Sequence, residues 1–137
     1  MRRWIIAWIA TALSFVALDS IWLTQVAPRL DPPLIGAILA TKVDIAAAVV
    51  FYLIYVTGIV ALAVAPALDR GGLSHAARLG AVLGLVAYGS YDLTNQATLK
   101  VWDIRITLAD IAWGVFITAS AAAIACAVTL KLTRPRP

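Results

Sequence analysis

Four stretches of the chain are continuously apolar, near 4–24, 43–65, 76–98 and 107–130, with short polar, glycine- or proline-containing segments between them. A hydrocarbon core of roughly 30 Å takes about 20 helical residues to cross, so each stretch is long enough to span it. The runs are continuous rather than alternating, and too few short segments exist to close a barrel; the pattern predicts helices. The expected fold is all-α, an integral membrane bundle of four transmembrane helices forming a single domain over 1–137.

The connections refine this picture. Pro28, Pro32 and Pro33 fall within 25–42 and predict an extended or turned segment at the membrane surface, because proline denies a helix its backbone donor. Pro66, Asp69, Gly71 and Gly72 predict the end of the second helix and a turn, and 100–105 a second short turn; neighbouring helices are then antiparallel. Gly80 and Gly84 form a G-x-x-x-G pair, and Ala119 to Ala127 is rich in alanine, which predicts close contact between the third and fourth helices. The first run is longer than the roughly 7–15 apolar residues of a secretory signal, so it is expected to be retained.

Composition supports the membrane assignment: 63% of residues are hydrophobic and 13% charged, and the mean hydropathy is +0.93. Basic residues are retained on the cytoplasmic side of short loops. Arg2, Arg3, Arg70, Arg78, Lys131, Arg134 and Arg136 fall on one side, against Arg29, Lys42, Lys100 and Arg105 on the other. That predicts both termini in the cytoplasm and a multi-pass protein of the bacterial cytoplasmic (inner) membrane. The net charge of +4 is divided among membrane flanks, which fits contact with lipid headgroups and argues against nucleic acid. The lone Cys126 and the lone His75 make neither an intramolecular disulfide nor a Cys/His zinc site.

The chemistry lies in the aspartates, which account for all seven acidic residues. Asp19, Asp44, Asp92 and Asp110 fall one to each helix, all within two or three turns of the outer boundary at about 1.5 Å per residue. Positions three or four apart share a helical face. Phe15, Asp19 and Trp22 make one stripe, Tyr88, Asp92 and Asn95 a second, and Thr107, Asp110 and Gly114 a third, with Trp113 alongside. Turned inward, the stripes gather into a cavity whose ligand-binding candidates are Asp19, Tyr88, Asp92, Asn95, Asp110 and Trp113, with Asp44, Lys42 and Lys100 secondary. Intramembrane carboxylates normally face the bundle or water and mark function, although Asp44 and Asp110 also suit helix starts. The remaining tryptophans, Trp4, Trp8, Trp22 and Trp102, suit interfacial anchoring.

Clustered carboxylates need compensation, by Lys42, Lys100 or Arg105, by a hard cation, or by remaining protonated. The residues alone leave these open and name no catalytic residue, metal or cofactor.

The segments Ala17-Leu18-Asp19-Ser20-Ile21-Trp22-Leu23, Ala87 to Lys100 and Asp110-Ile111-Ala112-Trp113-Gly114 resemble a family of short bacterial predicted membrane proteins of unknown function. The resemblance implies membrane location without supplying a reaction. Similar proteins are sometimes encoded near lipid-modifying enzymes, and the resemblance thereby implies that lipids rank above other substrates. Two readings follow. One is a protein that binds, transports or modifies a small or lipid-like ligand in the Asp-lined cavity; the other is a non-enzymatic scaffold that docks a membrane-protein partner or a second copy. A short resemblance between Ala40-Thr41-Lys42-Val43-Asp44 and Ala97 to Asp103 suggests two related hairpins.

Overall fold

The computed structural model describes residues 1–133; the expected basic tail beyond them, with Arg134 and Arg136, lies outside the described residues. The described chain is helical apart from short connections, without strands. Helix α1 (Arg2–Ile21) runs through a π-helical turn (Trp22–Val26) into α2 (Ala27–Ile35). Helix α3 (Ile45–Ile59) runs through a second π-helical turn (Val60–Val64) into α4 (Ala65–Asp69). Helices α5 (Gly72–Thr98) and α6 (Ile104–Thr133) complete the bundle. The spans Arg2–Ile38, Ile45–Asp69 and Ile104–Thr133 are long and apolar enough to cross a membrane. Helix α5 has 27 residues, about 40 Å of helix at 1.5 Å per residue. It is less apolar because Tyr88 to Gln96 carries the polar stripe. Large side chains such as Leu13, Ile54, Val86 and Leu108 are exposed on the outside of the bundle, as suits contact with lipid.

The prolines correct one expectation. Of the segment expected as an extended or turned loop over 25–42, only 36–42 is one: the helix continues to Ile35 with Pro32 and Pro33 inside it, and a 3-10 turn, Gly36–Ile38, leads into non-helical chain. The second helix likewise passes through Pro66 and ends at Asp69. At Pro28 and Pro66 the physical reason is a π turn. In both places the backbone N–H of the alanine before the proline bonds five residues back, Ala27 to the Trp22 carbonyl and Ala65 to the Val60 carbonyl. The widened turn relieves the clash between a proline ring and the preceding carbonyl. The two junctions share a sequence as well: Val26-Ala27-Pro28-Arg29-Leu30-Asp31 and Val64-Ala65-Pro66-Ala67-Leu68-Asp69 differ at one position in six. This repeat is legible in the residues alone.

Asp69, which closes the second copy, forms an ion pair with Arg3 at 3.1 Å, tying the end of α4 to the start of α1. The chain then reverses through Gly71 and Gly72, both at positive φ (112° and 65°), which only glycine adopts without strain. At the opposite end, called here the loop end, Asp44 caps α3 by accepting from the Ala47 N–H at 3.0 Å. Asp103 accepts from the Arg105 backbone N–H at 2.8 Å just ahead of α6. The short sequence resemblance between the two loop-end segments therefore coincides with two helix starts, each served by an aspartate. The Arg105 guanidinium also donates twice to Asp103, at 2.9 Å each. Together these bonds hold the Asp103 carboxyl well below the usual carboxylate range, at about 2.

Packing is tightest between α5 and α6. A Cβ on Gly80 would lie 2.7 Å from the Thr118 carbonyl oxygen, and one on Gly84 would strike the Gly114 carbonyl. The G-x-x-x-G pair thus joins two helices of one chain. Helix α1 packs on α6 and α3, and the π turn at Val60–Val64 packs on α5. Buried Phe15, Ile59, Ile117, Ala121 and Cys126 fill the centre. Cys126 is a packing residue.

Candidate functional site

The backbones of α3 and α5 meet at Val60–Val64 and separate toward the loop end, where α3 is backed by α1. Long aromatic side chains bridge the gap. Phe51 stacks on Tyr55 with ring centroids 5.5 Å apart, and Tyr55 meets Tyr88 edge-on at 6.2 Å. The crevice that remains is half open, with a volume of about 330 Å³, and is lined by Phe51, Tyr55, Ala87, Tyr88, Tyr91 and Asp110. Asp110 is the single charged residue in that lining.

Glycine sets the position of Tyr88. Its ring lies directly against Gly114 of α6, where any Cβ would overlap it. Tyr55 is fixed by a hydrogen bond between its hydroxyl and the Thr118 hydroxyl at 2.9 Å, and by Phe15, whose ring meets it at 5.2 Å. The walls are therefore held by α1 and α6 behind them.

The carboxylates take different environments. Asp19 is 8% exposed and accepts a short hydrogen bond from the Tyr52 hydroxyl. The Trp113 indole N–H faces Asp19 but does not reach hydrogen-bonding geometry and is buried without a partner. Trp113 stacks on Trp22 with centroids 5.3 Å apart. Asp92 is fully buried, and neither of its carboxylate oxygens has a hydrogen-bond partner among the described residues. Asp110 lies within charge–charge range of Asp92, Asp19 and Asp31.

Of the expected site residues, Tyr88 and Asp110 line the crevice, whereas Asp19, Asp92 and Trp113 lie in the same half of the bundle outside its lining. Asn95 lies one turn beyond Asp92, half-buried, outside the lining of the crevice. Asp44 is an exposed helix cap, and Lys42 and Lys100 are exposed. Among the described residues the ion pairs are Arg3–Asp69 and Arg105–Asp103, so no lysine or arginine neutralises Asp19, Asp92 or Asp110. Nor do His, Cys, Asp or Glu side chains there converge in a group of three that could hold a metal ion. Thr107 belongs to the end of the hairpin instead: it accepts from the Trp102 indole at 2.9 Å and donates to Gln96 at 3.1 Å. Trp8 also has an internal partner, the Thr57 hydroxyl at 3.1 Å.

Tyr52, Tyr55, Phe51 and Asp31 were missed. The aromatic residues sit on α3, whose sequence reads as uniformly apolar. Asp31 was assigned to a loop, although the repeat ending in Asp69 marks it as part of a helix.

A bundle of apolar helices enclosing uncompensated carboxylates defines an integral membrane protein with a polar interior. Residues 4–127 match the family described as Predicted membrane protein (DUF2177), and the chain belongs to that family of unknown function. Neither the curated proteins nor the solved structures provide a match to the chain.

Proposed function

We propose that the protein holds a small, lipid-like ligand in the crevice between α3 and α5, within the bacterial cytoplasmic membrane. The observation that carries this reading is the crevice itself: a half-open space with an aromatic wall and one carboxylate, at a seam where two helices part. Its volume of about 330 Å³ falls at the small end of the roughly 300–1,000 Å³ usual for ligand pockets. Binding is the step this geometry supports, and transport or modification of the bound molecule would take place at the same seam. The scaffold reading draws on Asp19 and Tyr52, whose hydrogen bond joins α1 to α3 and orders the bundle without a ligand.

Ala87→Trp tests the ligand reading, because Ala87 lines the crevice and an indole there fills it. Native mass spectrometry of detergent-purified protein is expected to give a lipid-sized 1:1 adduct that the variant loses. The same adduct on the variant, or none on the wild type, would sink the reading.

The distribution of basic residues supports an orientation with both termini in the cytoplasm and the loop end outside. Lys100→Cys in a Cys126→Ser background is expected to react with an impermeant maleimide on intact spheroplasts. Reaction only after lysis would reverse the orientation.

A further inference from the structure

We infer that the crevice takes an ammonium group, protonated or quaternary, carried by its ligand; the inference rests on the ligand-binding reading above and specifies its chemistry. Phe51, Tyr55, Tyr88 and Tyr91 supply four aromatic rings around one space, and Asp110 supplies the single carboxylate of its lining. Aromatic faces carry negative charge density and attract large, weakly hydrated cations, and quaternary ammonium groups in particular are recognised by such cages.

The surrounding charge points the same way. Asp110 is within charge–charge range of Asp92, Asp19 and Asp31, and no lysine or arginine among the described residues pairs with any of them. Where these carboxyls are ionised they repel an anionic group, whereas a cation supplies the charge that the chain itself does not. A compact divalent ion is the weaker candidate. Such ions bind at about 2.0–2.6 Å to several converging oxygens, and no convergent group is found among the described residues. An ammonium ion does not need that convergence, because its charge is spread over a larger surface that rings can touch. Tyr91 is 62% exposed, which leaves the cage open on one side for an attached chain or for water.

The same ammonium chemistry is available from a lipid headgroup and from a free alkylammonium ion. Full-length protein in a neutral maltoside detergent is titrated with three probes: a short-chain alkyltrimethylammonium amphiphile, its neutral isostere with carbon in place of nitrogen, and tetramethylammonium. Binding is followed by quenching of intrinsic tryptophan and tyrosine fluorescence and by native mass spectrometry. The cationic amphiphile is expected to bind at least about tenfold more tightly than the isostere, and Asp110→Asn to remove that preference. Tyr91→Leu, at an exposed position that tolerates substitution, is expected to weaken the cation and spare the isostere. Preference for the amphiphile over tetramethylammonium assigns the site to a lipid-borne headgroup, and equal binding of the two assigns it to a free ion; both sustain the inference. Equal affinity for cation and isostere overturns the ammonium inference while leaving a lipid-binding crevice standing. Absence of binding by all three probes overturns the inference and, if the Ala87→Trp experiment also finds no adduct, the ligand reading with it.

Discussion

Replacement of Gly84 by alanine is expected to destabilise the bundle by about 3 kcal/mol, the upper range for forcing a methyl group into a packed interior. The added Cβ would strike the Gly114 carbonyl and lie 3.0 Å from the Thr118 hydroxyl, and the carbonyl belongs to helix backbone that cannot step aside alone. The α5–α6 interface is the tightest in the bundle, so the helices must part along their length. Between helices in lipid there is little hydrophobic driving force, and close backbone approach is what such a separation loses. Gly89→Ala, on the same helix, is the control. Its Cβ meets nothing within 4 Å, and the gain in helix propensity is expected to add up to about 1 kcal/mol. Unfolding of both variants in mixed micelles, titrated with a denaturing detergent, gives the comparison. Equal stability for Gly84→Ala and wild type would mean that the two helices do not approach as closely as described. The variant carries a functional consequence too, because Tyr88 is seated against Gly114 opposite Gly84.

Asp92→Asn is expected to insert and fold like the wild type yet abolish the native activity, and Asp92→Leu to be more stable than wild type by about 1–3 kcal/mol. Both Asp92 oxygens are buried and unpartnered, an arrangement that costs stability in a folded protein and that native structures rarely keep without a use. A leucine of similar size removes the unpaired polar atoms, so the expected stabilisation measures what the carboxyl costs. Detergent-titrated unfolding supplies the stability values, and a growth or activity assay in cells lacking the wild-type copy supplies the other half. Full function with asparagine at 92 would sink the assignment of this residue. Loss of stability on introducing leucine would show instead that the carboxyl has a structural partner.

Asp19 and Asp92 show how far the residues alone could be read. Both were recognisable as intramembrane carboxylates on inward-facing stripes, because helical periodicity puts Phe15 beside Asp19 and Tyr88 beside Asp92 whatever the rest of the chain does. Their different environments were not recognisable. Asp19 receives the Tyr52 hydroxyl from α3, thirty-three positions away, while Asp92 receives nothing, and no local pattern distinguishes the two. The same holds for Asp44 and Asp110, which looked equivalent as first-turn acids. Asp44 caps α3, whereas α6 begins at Ile104, which carries Asp110 into the second turn and onto the crevice.

The prolines at 28 and 66 make the converse case. Local chemistry argued for a break, and the bundle instead kept the helices continuous by widening one turn before each Val-Ala-Pro. Within a membrane bundle every backbone polar group left unpaired is costly, so a π turn that preserves most of the hydrogen bonds is favoured over an open loop.

By itself the sequence determined the solvent, the helical class, the four apolar runs and the α5–α6 contact through Gly80 and Gly84. These depend on interactions between residues a few positions apart and on total hydrophobicity, both of which are written locally. Only the tertiary structure decided that α3 leaves α5 at the loop end, that Phe51, Tyr55, Tyr88 and Tyr91 share one space with Asp110, and that Asp92 stays unpaired. Those outcomes depend on the angle at which whole helices cross, which is set by the sum of small packing contacts at Gly80, Gly84, Gly114 and Phe15.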